Sequence, residues 1–261
     1  MEILVFIALG LVAGFFAGLL GVGGGIVTVP VMSLWLLPYF QFPASDVVHI
    51  AIASSLLAII PTSVMSTYGH HKQGGILWPL AMRFTPGLIL GSVLGAFLAT
   101  KVAGYNLQVV FGLFLVIVAL YMMKSPQGFA LARGNKNIKF PFISLPIGAI
   151  SAALGVGGGT MTVPYLLWRG KSIQQAIGVS AYCGLPIALA SSFTFLIVDS
   201  VDSNQFSAGF IHIPAVVGIS VGSILFAPVG AYCTHHWPVV SLKRIFALVL
   251  LLASGRLLGV Y

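Results

Sequence analysis

Residues 3 to 45 contain no Asp, Glu, Lys or Arg, and neither do residues 47 to 71, 102 to 123, 140 to 168, 172 to 198 or 203 to 242. Each run reaches the ~20 residues that a helix needs to cross the hydrocarbon core of a bilayer, and two can hold a turn and more than one segment. They are continuously apolar instead of alternating at period two, which is not the pattern of a membrane β-barrel. Only 6% of the chain is charged and 59% is hydrophobic, whereas soluble domains are roughly a quarter charged. The fold class is therefore an all-α polytopic membrane protein, and its surroundings are the lipid bilayer.

The net charge of +8 does not point to nucleic acid, because the basic residues are spread over short loops and form no soluble patch. Cys183 and Cys233 fall in apolar segments without CxxC spacing and read as reduced packing residues. Glu2 stands where a signal peptide would carry Lys or Arg, so the first segment reads as a retained helix.

The chain is internally duplicated. Residues 21 to 30 read GVGGGIVTVP and residues 155 to 164 read GVGGGTMTVP, identical at eight of ten positions. After the motif, AIASSLLAIIP at 51 to 61 matches AIGVSAYCGLP at 176 to 186, and GSVLGAF at 91 to 97 is echoed by GSILFAP at 222 to 228. The domains are a first repeat over 1–123, a polar linker over 124–140 and a second repeat over 141–261.

Each repeat divides into five apolar segments: about 3–20, 25–37, 47–68, 76–99 and 105–123, then about 141–154, 160–168, 173–197, 210–233 and 241–259. Two of the five form a glycine-broken helical hairpin, so about eight to ten segments touch the membrane. An odd number makes the second copy enter the membrane from the opposite side, the inverted-repeat plan of many secondary transporters. Charge placement agrees. If the linker is cytoplasmic, the loops on its side carry Lys72, Lys124, Arg133, Lys136, Lys139, Arg169, Lys171, Lys243 and Arg244, nine of the twelve basic residues. The four acids, Glu2, Asp46, Asp199 and Asp202, then fall outside.

The glycine motif is short of helical neighbours. About nine apolar residues follow the second copy, which at 1.5 Å each reach roughly half of a ~30 Å core, so its tip is expected near the midplane. Backbone that leaves helical geometry there must be buried in protein or line an aqueous cavity. Gly21, Gly23, Gly24 and Gly25, with Gly155, Gly157, Gly158 and Gly159, permit positive φ and close approach of a ligand. The helix that follows aims its unpaired N–H groups and positive dipole end at the tip, the arrangement that binds anions. Thr28, Thr160 and Thr162 could add hydroxyl donors, and Pro30 and Pro164 are tolerated near a helix start. The competing reading is that these glycines only let helices pack closely.

Ser54, Ser55 and Ser180 are further candidate donors, with hydrogen bonding to their own helices as the alternative. Arg83, in the fourth segment, either attracts the anion or snorkels to the interface, and it has no basic counterpart in the second copy. His49 and His212 near outer helix ends read as interface packing, and the pairs His70–His71 and His235–His236 have no carboxylate or cysteine nearby to complete a metal site. Trp35, Trp78, Trp168 and Trp237 lie near segment ends, as an aromatic belt does. No catalytic motif or cofactor fingerprint is present, and GVGGG lacks the βαβ context of a dinucleotide loop. No acid lies deep in a span, which leaves histidine-based coupling or none.

The twin G-V-G-G-G-x-x-x-V-P, the following AIASS and AIGVS, and the later GSVLGA resemble the sulfite exporter TauE/SafE family of membrane permeases, over almost the whole chain. The resemblance implies a permease of the bacterial inner membrane for small sulfur-containing anions such as sulfite, organosulfonates like sulfoacetate, or thiosulfate. By motif it carries the site onto Gly21, Gly23, Gly24, Gly25, Thr28 and Pro30 and onto Gly155, Gly157, Gly158, Gly159, Thr162 and Pro164. The expectation is a secondary transporter that exports its anion by alternating access at a midplane site, with no enzymatic chemistry, no cofactor and no metal. An anion channel using the same cavity is the alternative, and a membrane metal-handling protein or enzyme a weaker one. A homo-oligomer is compatible with either.

Overall fold

A computed structural model describes residues 2–39, 42, 46–124, 140–198, 207–208, 210–236 and 239–259. The chain runs α1 (Glu2–Leu20), α2 (Gly25–Val31), a π-helical turn (Met32–Leu36), α3 (Leu37–Tyr39), α4 (Val47–Lys72), α5 (Trp78–Ala99) and α6 (Gly104–Lys124). After the linker come α7 (Phe140–Ala153), α8 (Gly159–Trp168), α9 (Ile173–Ile197), α10 (Ile213–His236) and α11 (Val239–Leu257). Six of these helices, α1, α4, α5, α6, α9 and α10, are long and apolar enough to cross a membrane.

The segment boundaries agree closely with the hydropathy reading, and three details go beyond it. The second segment is not one helix: Pro30 has no N–H to donate and its ring crowds the preceding turn, and a π-helical turn follows at Met32. A short antiparallel pair, β1 (Ser207–Ala208) with β2 (Ile211–His212), precedes α10. Lys243 and Arg244 lie within α11, not in the loop before it. The linker residues 125–139, with Arg133, Lys136 and Lys139, and also Asp199, Asp202 and Trp237, lie outside the described residues.

The core sits between α4 and α9, whose apolar stretches are 78% and 61% buried, more than those of the other long helices. Around that pair, α1 packs along α10, α5 along α7 and α6 along α11, while α10 also leans on α4 and α5 on α9. Small residues four apart make these contacts close. Gly10, Gly14 and Gly18 of α1 face Ile219, Ser223 and Ala227 of α10, and Gly91 and Gly95 of α5 face Leu145 and Ala149 of α7. A Cβ at any of these positions would collide with the partner's backbone. Large apolar side chains such as Leu4, Ile117, Phe193 and Ile197 turn outward, where a bilayer supplies the apolar surroundings that water would not.

Candidate substrate site

The two glycine loops meet at the centre of the bundle, backbone to backbone. Gly25 lies against the carbonyl of Gly155, and Gly159 against the carbonyl of Gly21. The Cα of Gly157 lies 2.8 Å from where a Cβ on Gly23 would be, so only glycine fits. In the first loop Gly21, Gly23 and Gly24 have φ of 68°, 79° and 81°, whereas in the second only Gly155 is left-handed, with φ of 67°. The shared sequence thus takes two different local conformations.

Hydroxyls from the central helices hold each loop. The Ser180 Oγ of α9 donates to the carbonyl of Gly21 at 2.8 Å, and the Ser55 Oγ of α4 donates to the carbonyl of Gly155 at 3.1 Å. Neither serine bonds back into its own helix as its main contact; each reaches across to the loop of the other copy. Both acceptors are left-handed glycines whose carbonyls leave the helical ladder, so these bonds satisfy groups that lipid cannot. Thr28 Oγ1 lies 2.7 Å from Ser55 Oγ, which ties the first turn of α2 into the same network. Ser54 faces away from the loops, its oxygen accepting the His212 N–H at 2.8 Å.

The second copy is less completely bonded. The first intrahelical bond at the start of α8 runs from the Thr162 N–H to the Gly158 carbonyl at 2.9 Å. The N–H groups of Gly159, Thr160 and Met161 therefore have no carbonyl one turn back in the helix. Thr160 and Thr162 are buried, and neither hydroxyl has a hydrogen-bond partner among the described residues. Thr162 turns toward Gly158 and the side of α9 that carries Cys183. Thr160 and Gly159 instead line a cleft of about 40 Å³, walled by Val22 and Ile26 of the first copy and by Val118 and Tyr121 of α6. That is room for one or two water molecules. Ile26 and Thr160, one of the two matched pairs at which the motif copies differ, thus line one cleft, mostly apolar with the Thr160 hydroxyl beside Gly159. Pro164 lines it as well.

The family model described as "Sulfite exporter TauE/SafE" matches residues 6–257. The chain belongs to the sulfite exporter TauE/SafE family. A "Probable membrane transporter protein" of Haemophilus influenzae is 32% identical over 255 residues, covering 97% of this chain and 96% of that relative. A "Probable membrane transporter protein" of Methanocaldococcus jannaschii is 25% identical over 226 residues, 86% of this chain and 83% of its own length. No solved structure matches the chain.

The remaining candidates of this TauE/SafE protein lie away from the loops. Arg83 is exposed on α5, beside the exposed Met82. Pro30 lines a second recess, against α11. His49 is buried, its Nε2 within 3.2 Å of the Ala99 carbonyl and 3.1 Å of the Val102 carbonyl, where it ties α4 to the end of α5. His212 Nε2 pairs with Glu2 at 3.2 Å; burial lowers its pKa, against the opposing pull of that carboxylate. At the other end of the bundle His70 Nε2 lies 2.8 Å from the Gly18 carbonyl, with its ring 5.6 Å from that of His235. Among the described residues no group of three or more His, Cys, Asp or Glu side chains is placed to hold a metal.

Two features of the site escaped the sequence. The bonds from Ser55 and Ser180 join opposite copies, and no local pattern reports a contact over 100 or 159 residues. The α1–α10 contact, by contrast, carried a usable signal in the four-residue glycine spacing of Gly10, Gly14 and Gly18.

Proposed function

We propose that this chain is an inverted-repeat secondary transporter that exports a small sulfur-containing anion across the bacterial inner membrane. Sulfite, thiosulfate and organosulfonates such as sulfoacetate are the substrate class. The observation that carries the reading is the buried, unpartnered Thr160 hydroxyl beside Gly159 at the first turn of α8, in a cleft between the two glycine loops. Backbone N–H groups, the positive end of α8 and a free hydroxyl offer donors without a competing full charge, which suits an anion carrying several oxygens.

The helix pairing supports a two-fold relation between the copies, which an inverted repeat requires. Exchanging the copies maps α1 on α10 to α7 on α5, and α4 on α10 to α9 on α5, while α4 with α9 and α6 with α11 map to themselves. A 40 Å³ cleft is too small for a multi-oxygen anion, so transport requires the loops to part. Movement of one repeat against the other opens the cleft to each side in turn. The membrane potential drives the anion outward by ~2.3 kcal/mol per charge per 100 mV, so export needs no coupling ion.

Thr160→Val tests the assignment. It removes a hydroxyl with no partner among the described residues, so folding stability should be kept, while anion efflux from proteoliposomes falls at least tenfold. A thermal-stability series with sulfite, thiosulfate, sulfoacetate, taurine, sulfate and carboxylates then reads out substrate class by mass action. Stabilisation by carboxylates or cations alone, or full efflux by the variant, refutes the reading.

A further inference from the structure

Beside the glycine loops, a recess of about 340 Å³ separates the segment after Pro30 from α11. One wall is Pro30, Leu34 and Trp35, and the other is Leu252, Ala253 and Arg256. The π-helical turn supplies Leu34 and Trp35; its wider winding shifts the side chains out of the register that an α-helix would give them. Trp35, Leu252 and Arg256 are exposed, so the recess opens on the outer surface of the bundle.

Such a space must be filled. Walls without contact atoms lose their dispersion energy, and water needs two to four polar partners, which this lining offers only at its Trp35 and Arg256 end. The volume is an order of magnitude above the ~30 Å³ share of one water molecule, and its apolar walls match a hydrocarbon chain. At one end the Arg256 guanidinium stands 5.8 Å from the Trp35 ring centre, a cation–π contact that holds it over the opening. Among the described residues no Asp or Glu carboxylate is paired with Arg256. Its planar fork of donors matches a phosphate. The corresponding cleft of the other copy, at Pro164, carries Tyr121 and Met122 of α6 and no cation.

We propose that this recess is a binding site for an anionic phospholipid, with an acyl chain between the π-helical turn and α11 and the phosphate on Arg256. The lipid wedges a helix of the first repeat against one of the second, next to the loop that carries Gly25. The site is independent of which anion is transported.

The test is native mass spectrometry of the purified full-length protein with phosphatidylglycerol or phosphatidylcholine of identical acyl chains. The wild type should retain phosphatidylglycerol about fivefold more strongly, the scale of one basic residue at an anionic surface. Arg256→Gln should erase that preference without reducing phosphatidylcholine retention, and Ala253→Phe, which fills the recess, should reduce retention of both lipids. Equal retention of the two lipids by the wild type, or an undiminished preference in Arg256→Gln, overturns the proposal. So does displacement of the lipid by sn-glycerol 3-phosphate, which would make free phosphate the ligand. A lipid-independent dimer that buries Trp35 and Arg256 would assign the recess to a second copy instead.

Discussion

Gly159→Ala separates steric from conformational roles of the glycine motif. Gly159 is not left-handed, so alanine can adopt its backbone, and at a helix start the substitution gains at most ~0.5–1 kcal/mol. Its new methyl, however, would overlap the Gly21 carbonyl, with the Cα of Val22 only 2.6 Å away. Forcing a methyl into such a contact costs about 1–3 kcal/mol. Moving the Gly21 carbonyl also weakens its 2.8 Å bond from Ser180, worth about 1 kcal/mol. The net is a destabilisation of roughly 2 kcal/mol, from terms of opposite sign. Gly25→Ala makes the mirror contact with the Gly155 carbonyl and should cost a similar amount. Equilibrium unfolding in mixed micelles measures both, with Gly170→Ala as the control: φ there is 74° and nothing lies within 4 Å, so only the ~1–2 kcal/mol left-handed backbone cost applies. If Gly159→Ala is as stable as the wild type and the control is not, the motif is conformational and the loop-to-loop contact carries no energy.

Other outcomes follow from the same geometry. Ser55→Ala and Ser180→Ala should each cost about 1–3 kcal/mol by leaving a buried carbonyl unpaired, and their effects should depart from additivity, because the loops they hold pack against each other; unfolding of the single and double variants measures this. Acidification should destabilise the fold through His212, whose folded pKa lies below its ordinary value. Such a group binds fewer protons folded than unfolded, so its contribution is complete above the unfolded pKa of ~6.5 and is lost as pH falls from there toward the folded value. Unfolding across pH 4.5 to 7.5 should show the loss, and Glu2→Gln, which removes the favourable charge, should enlarge it. Gly14→Val should break the α1–α10 contact, since even a Cβ there collides with Ser223; loss of folded protein by size-exclusion chromatography checks it.

What the sequence determined was everything that depends on a chain property acting locally. The absence of charge over runs such as 47 to 71 dictates helices, because lipid cannot satisfy an exposed backbone amide. The repeated GVGGG fixed where the first and second helices of each copy break, and the ends of α4, α5, α6, α8 and α9 fall within a few residues of the hydropathy boundaries. The tertiary structure decided which groups meet. Identical glycine motifs took different φ angles: Gly24 is left-handed and lies against Ala13, whereas its match Gly158 is not left-handed and lies against Ile187 and Cys183. Ser55 gained both Thr28 and Gly155, while the matched Ser180 bonds Gly21 and leaves Thr162 unpartnered. Ser54, adjacent in sequence to Ser55, turned to His212 instead, since neighbouring positions on a helix point about 100° apart. A hydroxyl's role depends on which carbonyl lies within 3 Å of it, and between two copies more than a hundred residues apart only packing sets that distance.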